Sequence, residues 1–256
     1  VSSSVTETAR WSVSLAAPVV VASIYVGVNL TVWVALGSLA LLAVLSVVSG
    51  ALGEHAQKRF LAVCTLAMLP MTWGWHLVTP TVGIVLLLTV RRARPPLRHL
   101  FGPSPVRAPA FMSLIVVACV GAYAAASRGG AESAGSFGWT AMPGTEWGPA
   151  GAVLVVLVAS VVNASFEEIV WRAGLAGRVV RSRAHTALQW VIVSACFGIA
   201  HVNGTPGGIL GMALASLFGL AMCALRALSR GSVAWCIGVH VVADVILLGG
   251  IYGVFV

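Results

Sequence analysis

The sequence specifies an all-α protein, a polytopic bundle of about eight or nine membrane-spanning helices. Three observations predict it. Of 256 residues, 59% are hydrophobic and only 9% are charged, whereas a soluble domain carries about a quarter charged. The apolar residues gather in runs long enough for spans of roughly 20 residues, the length a bilayer requires. The arginines fall in short loops between those runs, the pattern of cytoplasmic loops. The net charge of +8 therefore belongs to membrane loops, and no nucleic-acid partner is expected.

The elements follow in order. Residues 1–10 are polar. Residues 11–52 are apolar and long enough for two spans that turn near Asn29. The first of these runs is too long for a cleavable signal peptide and leads into further membrane. Residues 53–59 form a polar loop with Lys58 and Arg59, and residues 60–90 form two short or broken spans interrupted by Pro70 and by Thr79-Pro80. Residues 91–107 are the most basic segment and are cytoplasmic on this reading. Residues 109–127 are a span, and the Gly- and Ser-rich residues 128–148 are external. Pro149 opens a long helix that runs past Glu167. After a basic loop at residues 178–185 come spans at 186–202, 209–225 and 232–256. The tight loop 203–208 and the basic loop 226–231 separate them. Two parts result: N-terminal spans with their basic loop in residues 1–108, and a membrane core in residues 109–256. Cys64, Cys119, Cys196, Cys223 and Cys236 lie in apolar runs without a C-x-x-C pair and read as small buried hydrophobes.

The acids point to chemistry. Only seven Asp and Glu are present. Glu7, Glu54, Glu132 and Glu146 fall in loops or near the terminus, but Glu167, Glu168 and Asp244 lie in apolar helical stretches. Each such acid costs at least about 2.5–3.5 kcal/mol to insert, so an intramembrane acid marks a functional site by default. Glu168 and Arg172 are i,i+4 and can pair. Glu167 stands about 100° around the helix and is left for another partner. His240 and Asp244 are also i,i+4 and face one way on the last span. Glu167 and His201 are 34 residues apart, each about 17 from the middle of the basic loop between them, so antiparallel helices bring them to one depth. His240 lies roughly 13 Å from its loop and Glu167 roughly 16 Å from its own, at 1.5 Å per residue. One Glu, two His and one Asp converge from three helices.

These residues stand in three motifs: E-E-x-x-x-R at Glu167–Glu168–Arg172, F-x-x-x-H at Phe197–His201, and H-x-x-x-D at His240–Asp244. In this order they resemble the CPBP intramembrane family, which includes the CAAX prenyl proteases and bacteriocin-processing enzymes. The resemblance covers about residues 150–250. It implies a glutamate-type intramembrane endopeptidase without cofactor or metal, acting on a membrane-associated peptide or protein. On that reading Glu167 and His201 activate a water, His240 and Asp244 stabilise the oxyanion, and Glu168 and Arg172 are a structural ion pair. Trp171 and Phe197 stand where a pocket is expected. Trp171 replaces a usual Phe, Ala173 a usual Gly, and Asp244 a common Asn. An ionised Asp244 cannot donate to an oxyanion, so it orients His240 or is protonated. The chemistry fits, because a carboxylate withdrawn from water is a stronger base and a buried His donor stabilises developing charge strongly. The resemblance also implies a bacterial plasma membrane.

Other mechanisms lack their residues. A membrane aspartyl protease needs two aspartates, and the chain has one. H-E-x-x-H is absent, as is a G-x-S-x-G context for Ser194, while Glu167, His201, His240 and Asp244 are in principle a zinc-binding set. Two readings of a different kind stay open. One is a non-proteolytic membrane enzyme using the same pocket as general acid and base on a lipophilic small molecule, in a dehydration, cyclisation or isomerisation. The other is a non-enzymatic immunity or scaffold protein with a structural polar network.

Overall fold

A computed structural model describes residues 3–69, 78–89, 106–127, 147–176, 183–204 and 207–251. Among these the chain is all helix. The elements are α1 (Ser3–Leu30), α2 (Val32–Ala51), α3 (His55–Met68), α4 (Val78–Thr89), α5 (Arg107–Ser127), α6 (Gly148–Glu167), a π-helical segment (Glu168–Leu175), α7 (Arg183–Ala200), α8 (Gly208–Leu228) and α9 (Val233–Ile251). Among the described residues, five helices are long and apolar enough to cross a membrane, and Ala184–Ala200 and Val233–Gly249 are shorter apolar helices. Trp33, Phe111 and Ile209 stand on an exposed surface that is largely Val, Leu and Ile. A soluble protein would not expose that surface to water, so the chain is an integral membrane protein.

The boundaries follow from local chemistry. Thr31 ends the first hairpin arm and starts the second, its hydroxyl accepting from the Val34 amide at 3.3 Å. This confirms the expected turn, two residues beyond Asn29. Helix α1 begins before the polar stretch ends, so Glu7 and Arg10 are helical. Arg10 donates to the Leu52 carbonyl at 2.7 and 3.0 Å and pairs with Glu54 at 3.3 Å, tying the start of α1 to the α2–α3 turn. The polar loop is shorter than expected: Lys58 and Arg59 lie on α3. Pro80 sits in the first turn of α4, where its missing N–H costs nothing, and so opens that helix rather than interrupting it. Pro149 starts α6 as expected. Arg226 belongs to the last turn of α8, leaving a shorter turn before α9. Cys119 is exposed and does not share the burial of the other four cysteines. Most of the basic segment at 91–107, the external segment at 128–148 and part of the loop at 178–185 lie outside the described residues.

Helix α1 packs on α2 and α7, α7 on α8, and α6 and α5 on α9. One apolar cluster runs from Ile24, Leu42 and Phe60 on the N-terminal helices to Trp171, Phe197 and Cys223. Two close approaches set the frame around the polar residues. A Cβ at Gly198 would lie 2.3 Å from the Met212 carbonyl, so α7 and α8 touch through backbone there. A Cβ at Gly174 would strike the Phe60 ring, whose tip points at the π segment.

Candidate active site

Two backbone features place the polar side chains. The first is the π segment. Its i→i+5 bonding ends in the Ala176 amide donating to the Trp171 carbonyl at 2.8 Å. At the same C-terminal end the side chain of Gln189 donates to the Leu175 carbonyl. Such turns carry fewer degrees per residue than an α-helix and cluster at functional sites. Every residue from Glu168 to Leu175 is buried. The second feature is the end of α7. His201 is not inside the span, as the sequence suggests, but is the first residue of the turn that follows it. Its amide bonds back to Gly198 at 2.9 Å, a tightened terminal turn.

His240 is the centre of the cluster. Its Nδ1 lies 2.8 Å from Glu168 Oε1, and its Nε2 lies 3.4 Å from Asp244 Oδ1 and 3.8 Å from Glu167 Oε2. Adjacent glutamates thus reach opposite nitrogens of one imidazole. Arg172 Nη1 lies 3.3 Å from Glu168 Oε1, so the expected ion pair is present, and Glu168 serves two partners rather than one. The Arg172 guanidinium also lies over the Phe197 ring, 4.2 Å from its centroid. Phe197 is the hub of the aromatics. It packs against Trp171 at 5.6 Å, His201 at 4.4 Å and His240 at 6.3 Å between ring centroids. Trp171 also contacts Tyr25 of α1 at 6.3 Å. Trp171 and Phe197 are each 1% exposed. They therefore form the packed wall behind the polar groups.

The hydrogen-bond partners fix the tautomers. A carbonyl only accepts, so His201 donates from Nδ1 to the Phe197 carbonyl at 2.8 Å. Its Nε2 lone pair is then available to accept. His240 donates from Nδ1 to Glu168, whose charge Arg172 balances. Its Nε2 faces two carboxyl groups. Neutral His240 would present a lone pair to both, so Nε2, Asp244 and Glu167 together hold at least one proton. Glu167 makes no direct hydrogen bond to His201 among the described residues. Side-chain exposure rises from 0% at Glu168 and 1% at Arg172 to 5% at His240, 7% at Glu167 and 17% at Asp244. The cluster is sealed at the Arg172 end and opens at the Asp244 end. Among the described residues, no group of three or more His, Cys, Asp or Glu has an arrangement suited to a metal ion.

Sequence reasoning missed two members. Asn163 stands one turn before Glu167 and donates its amide to Asp244 Oδ2 at 3.3 Å. A polar amide in an apolar run was the available signal. Tyr25 comes from α1, far outside the motifs, and no spacing rule reaches it.

Residues 149–246 match the family model described as Rce1-like, type II CAAX prenyl endopeptidase. The match covers the π segment, α7, α8 and most of α6 and α9, and agrees with the resemblance carried by the three motifs. It is a match to a family of endopeptidases. No curated protein and no solved structure matches the chain.

Proposed function

We propose, from the Rce1-like match of residues 149–246, that this protein is an intramembrane endopeptidase cutting a membrane-associated peptide with a water activated by Glu167 and His201. The observation that supports this most is the arrangement of the two imidazoles. Each uses Nδ1 as a donor to a fixed acceptor, leaving Nε2 for chemistry. The roles then differ. His201 Nε2 and the Glu167 carboxylate accept protons, as a general base must. His240 Nε2 carries a proton when its ring is charged between Glu168 and Asp244, and can donate to an oxyanion.

The steps balance on these groups. Glu167 takes a proton from a water that His201 orients, and the water oxygen bonds to the peptide carbonyl carbon. The carbonyl electrons move to oxygen, where the His240 N–H stabilises them. Collapse of the tetrahedral intermediate breaks the C–N bond, and the departing amine takes the proton from Glu167. Glu168 and Arg172 position His240 and balance its charge. Asp244 orients Nε2, as expected of an ionised carboxylate beside an imidazole.

The substrate class we favour is a prenylated C-terminal peptide, which partitions into the bilayer and brings its scissile bond to membrane depth. A bacterial plasma membrane is the setting we propose. The same acid–base set suits a lipophilic small molecule, but the family match favours peptide hydrolysis. Purified protein in liposomes, given quenched fluorescent peptides with and without a farnesyl group, tests the reading. We expect cleavage of the farnesylated peptide, lost in His201→Ala. The absence of cleavage of either peptide by folded wild-type protein would overturn it.

A further inference from the structure

Asp244 has two carboxyl oxygens, and the structure occupies both. Oδ1 lies 3.4 Å from His240 Nε2, and Oδ2 accepts from Asn163 Nδ2 at 3.3 Å. The bond from Asn163 joins α6 to α9 one turn away from Glu167, at the open end of the cluster. Asn163 is itself partly exposed, whereas its neighbours Ala164 and Phe166 are buried. An interhelical amide in lipid is commonly only a weak adhesive between helices. This one differs because its partner is a member of the site. An amide N–H aimed at a carboxyl oxygen holds that oxygen as an acceptor. An ionised Asp244 in turn accepts from His240 Nε2 and keeps the proton on that ring. Glu167, Glu168, Arg172 and Asp244 are the charged groups facing His240, and Asn163 is the neutral donor beside them.

We propose that Asn163 is a positioning residue of this site, paired with Asp244 so that one amide and one carboxylate stand side by side across α6 and α9. The pair holds Asp244 as an acceptor and thereby keeps a proton on His240 Nε2. The proposal rests in part on the peptidase reading, because its consequence is an oxyanion donor. The structural half does not depend on any substrate.

Two arms test it. The first uses no substrate. The carboxylic-acid stretch in the infrared, assigned to residue 244 by its loss when Asp244→Asn is added to Asn163→Ala, reports protonation of Asp244. Wild-type protein should lack the band, and Asn163→Ala should show it. A band already present in wild type, or absent from both, would overturn the clamp. The second arm uses the farnesylated peptide. Asn163→Ala should lower kcat about tenfold or more with KM nearly unchanged. Asn163→Asp sets two carboxyl groups against each other and should lower kcat about 100-fold, within the range for disturbed acid–base groups. The exchange Asn163→Asp/Asp244→Asn restores one amide and one carboxylate and should recover activity to within about tenfold of wild type. A role confined to helix adhesion predicts loss of folded yield with unchanged kcat in what folds, and an exchange no better than Asn163→Asp contradicts the pairing. If Asn163→Ala does not fold, the near-isosteric Asn163→Leu replaces it in both arms. If no peptide is cut, the infrared arm still decides the clamp, and the peptidase reading fails separately.

Discussion

Glu167 and Glu168 are adjacent acids with opposite expected consequences on deletion. Glu168→Ala removes the partner of Arg172, which is 1% exposed, and the acceptor of His240 Nδ1. The contact of the Arg172 guanidinium with the Phe197 ring exists before and after, so it offsets nothing. Stranding a buried charge costs about 3–5 kcal/mol. Glu167→Ala removes a carboxyl whose Oε2 has no hydrogen-bond partner and approaches His240 only to 3.8 Å. Its loss relieves an unsatisfied buried acid. Both variants delete the same atoms, so the cavity contribution is similar in each and the difference between them isolates the charge network. We expect Glu168→Ala to be less stable than Glu167→Ala by about 3 kcal/mol or more. Unfolding in detergent titrated with sodium dodecyl sulfate, followed by tryptophan fluorescence, measures it, and Trp171 lies beside the perturbed pair. Equal midpoints for the two variants would refute the division of roles.

Three further outcomes follow from particular contacts. Asp244→Asn keeps one oxygen to accept from His240 Nε2, and Asn163 can turn its own oxygen to the new amide N–H, so in the peptidase reading it should cost less than tenfold in activity. A loss of ~100-fold or more with the fold intact would instead assign proton transfer to Asp244. Gly198→Ala drives a methyl into the Met212 carbonyl and should destabilise the α7–α8 contact by about 1–3 kcal/mol, read from folded yield and unfolding midpoint. Chelation with a zinc-selective chelator should leave peptide cleavage unchanged. Stoichiometric zinc in purified protein, with activity lost on chelation and restored by zinc, would replace the water-activation scheme.

The fold was legible because lipid imposes one rule: apolar runs must become helices. The breaks were less legible where a proline opens a helix instead of ending one, as Pro80 does. The site was legible because acids are rare in such a chain and each must be explained. Glu167, Glu168, Arg172, His240 and Asp244 do meet. The double use of Glu168 was not legible. Its i,i+4 spacing to Arg172 already accounted for its charge, and nothing in the sequence announces the π segment that lets adjacent glutamates reach one ring. His201 falls just past its helix because the chain tightens at Gly198, a packing constraint from α8 rather than a local signal. Asn163 was passed over because an uncharged amide is a weaker mark in an apolar run than an acid.

In the peptidase reading the Glu167 carboxylate activates the attacking water. Single-turnover cleavage of the farnesylated peptide in water enriched in oxygen-18, by wild type and by Glu167→Gln, tests it most directly. Mass spectrometry of the new C-terminus gives the readout. We expect one heavy oxygen in the wild-type product and no product above the uncatalysed level from folded Glu167→Gln. Cleavage by Glu167→Gln at the wild-type rate would contradict it.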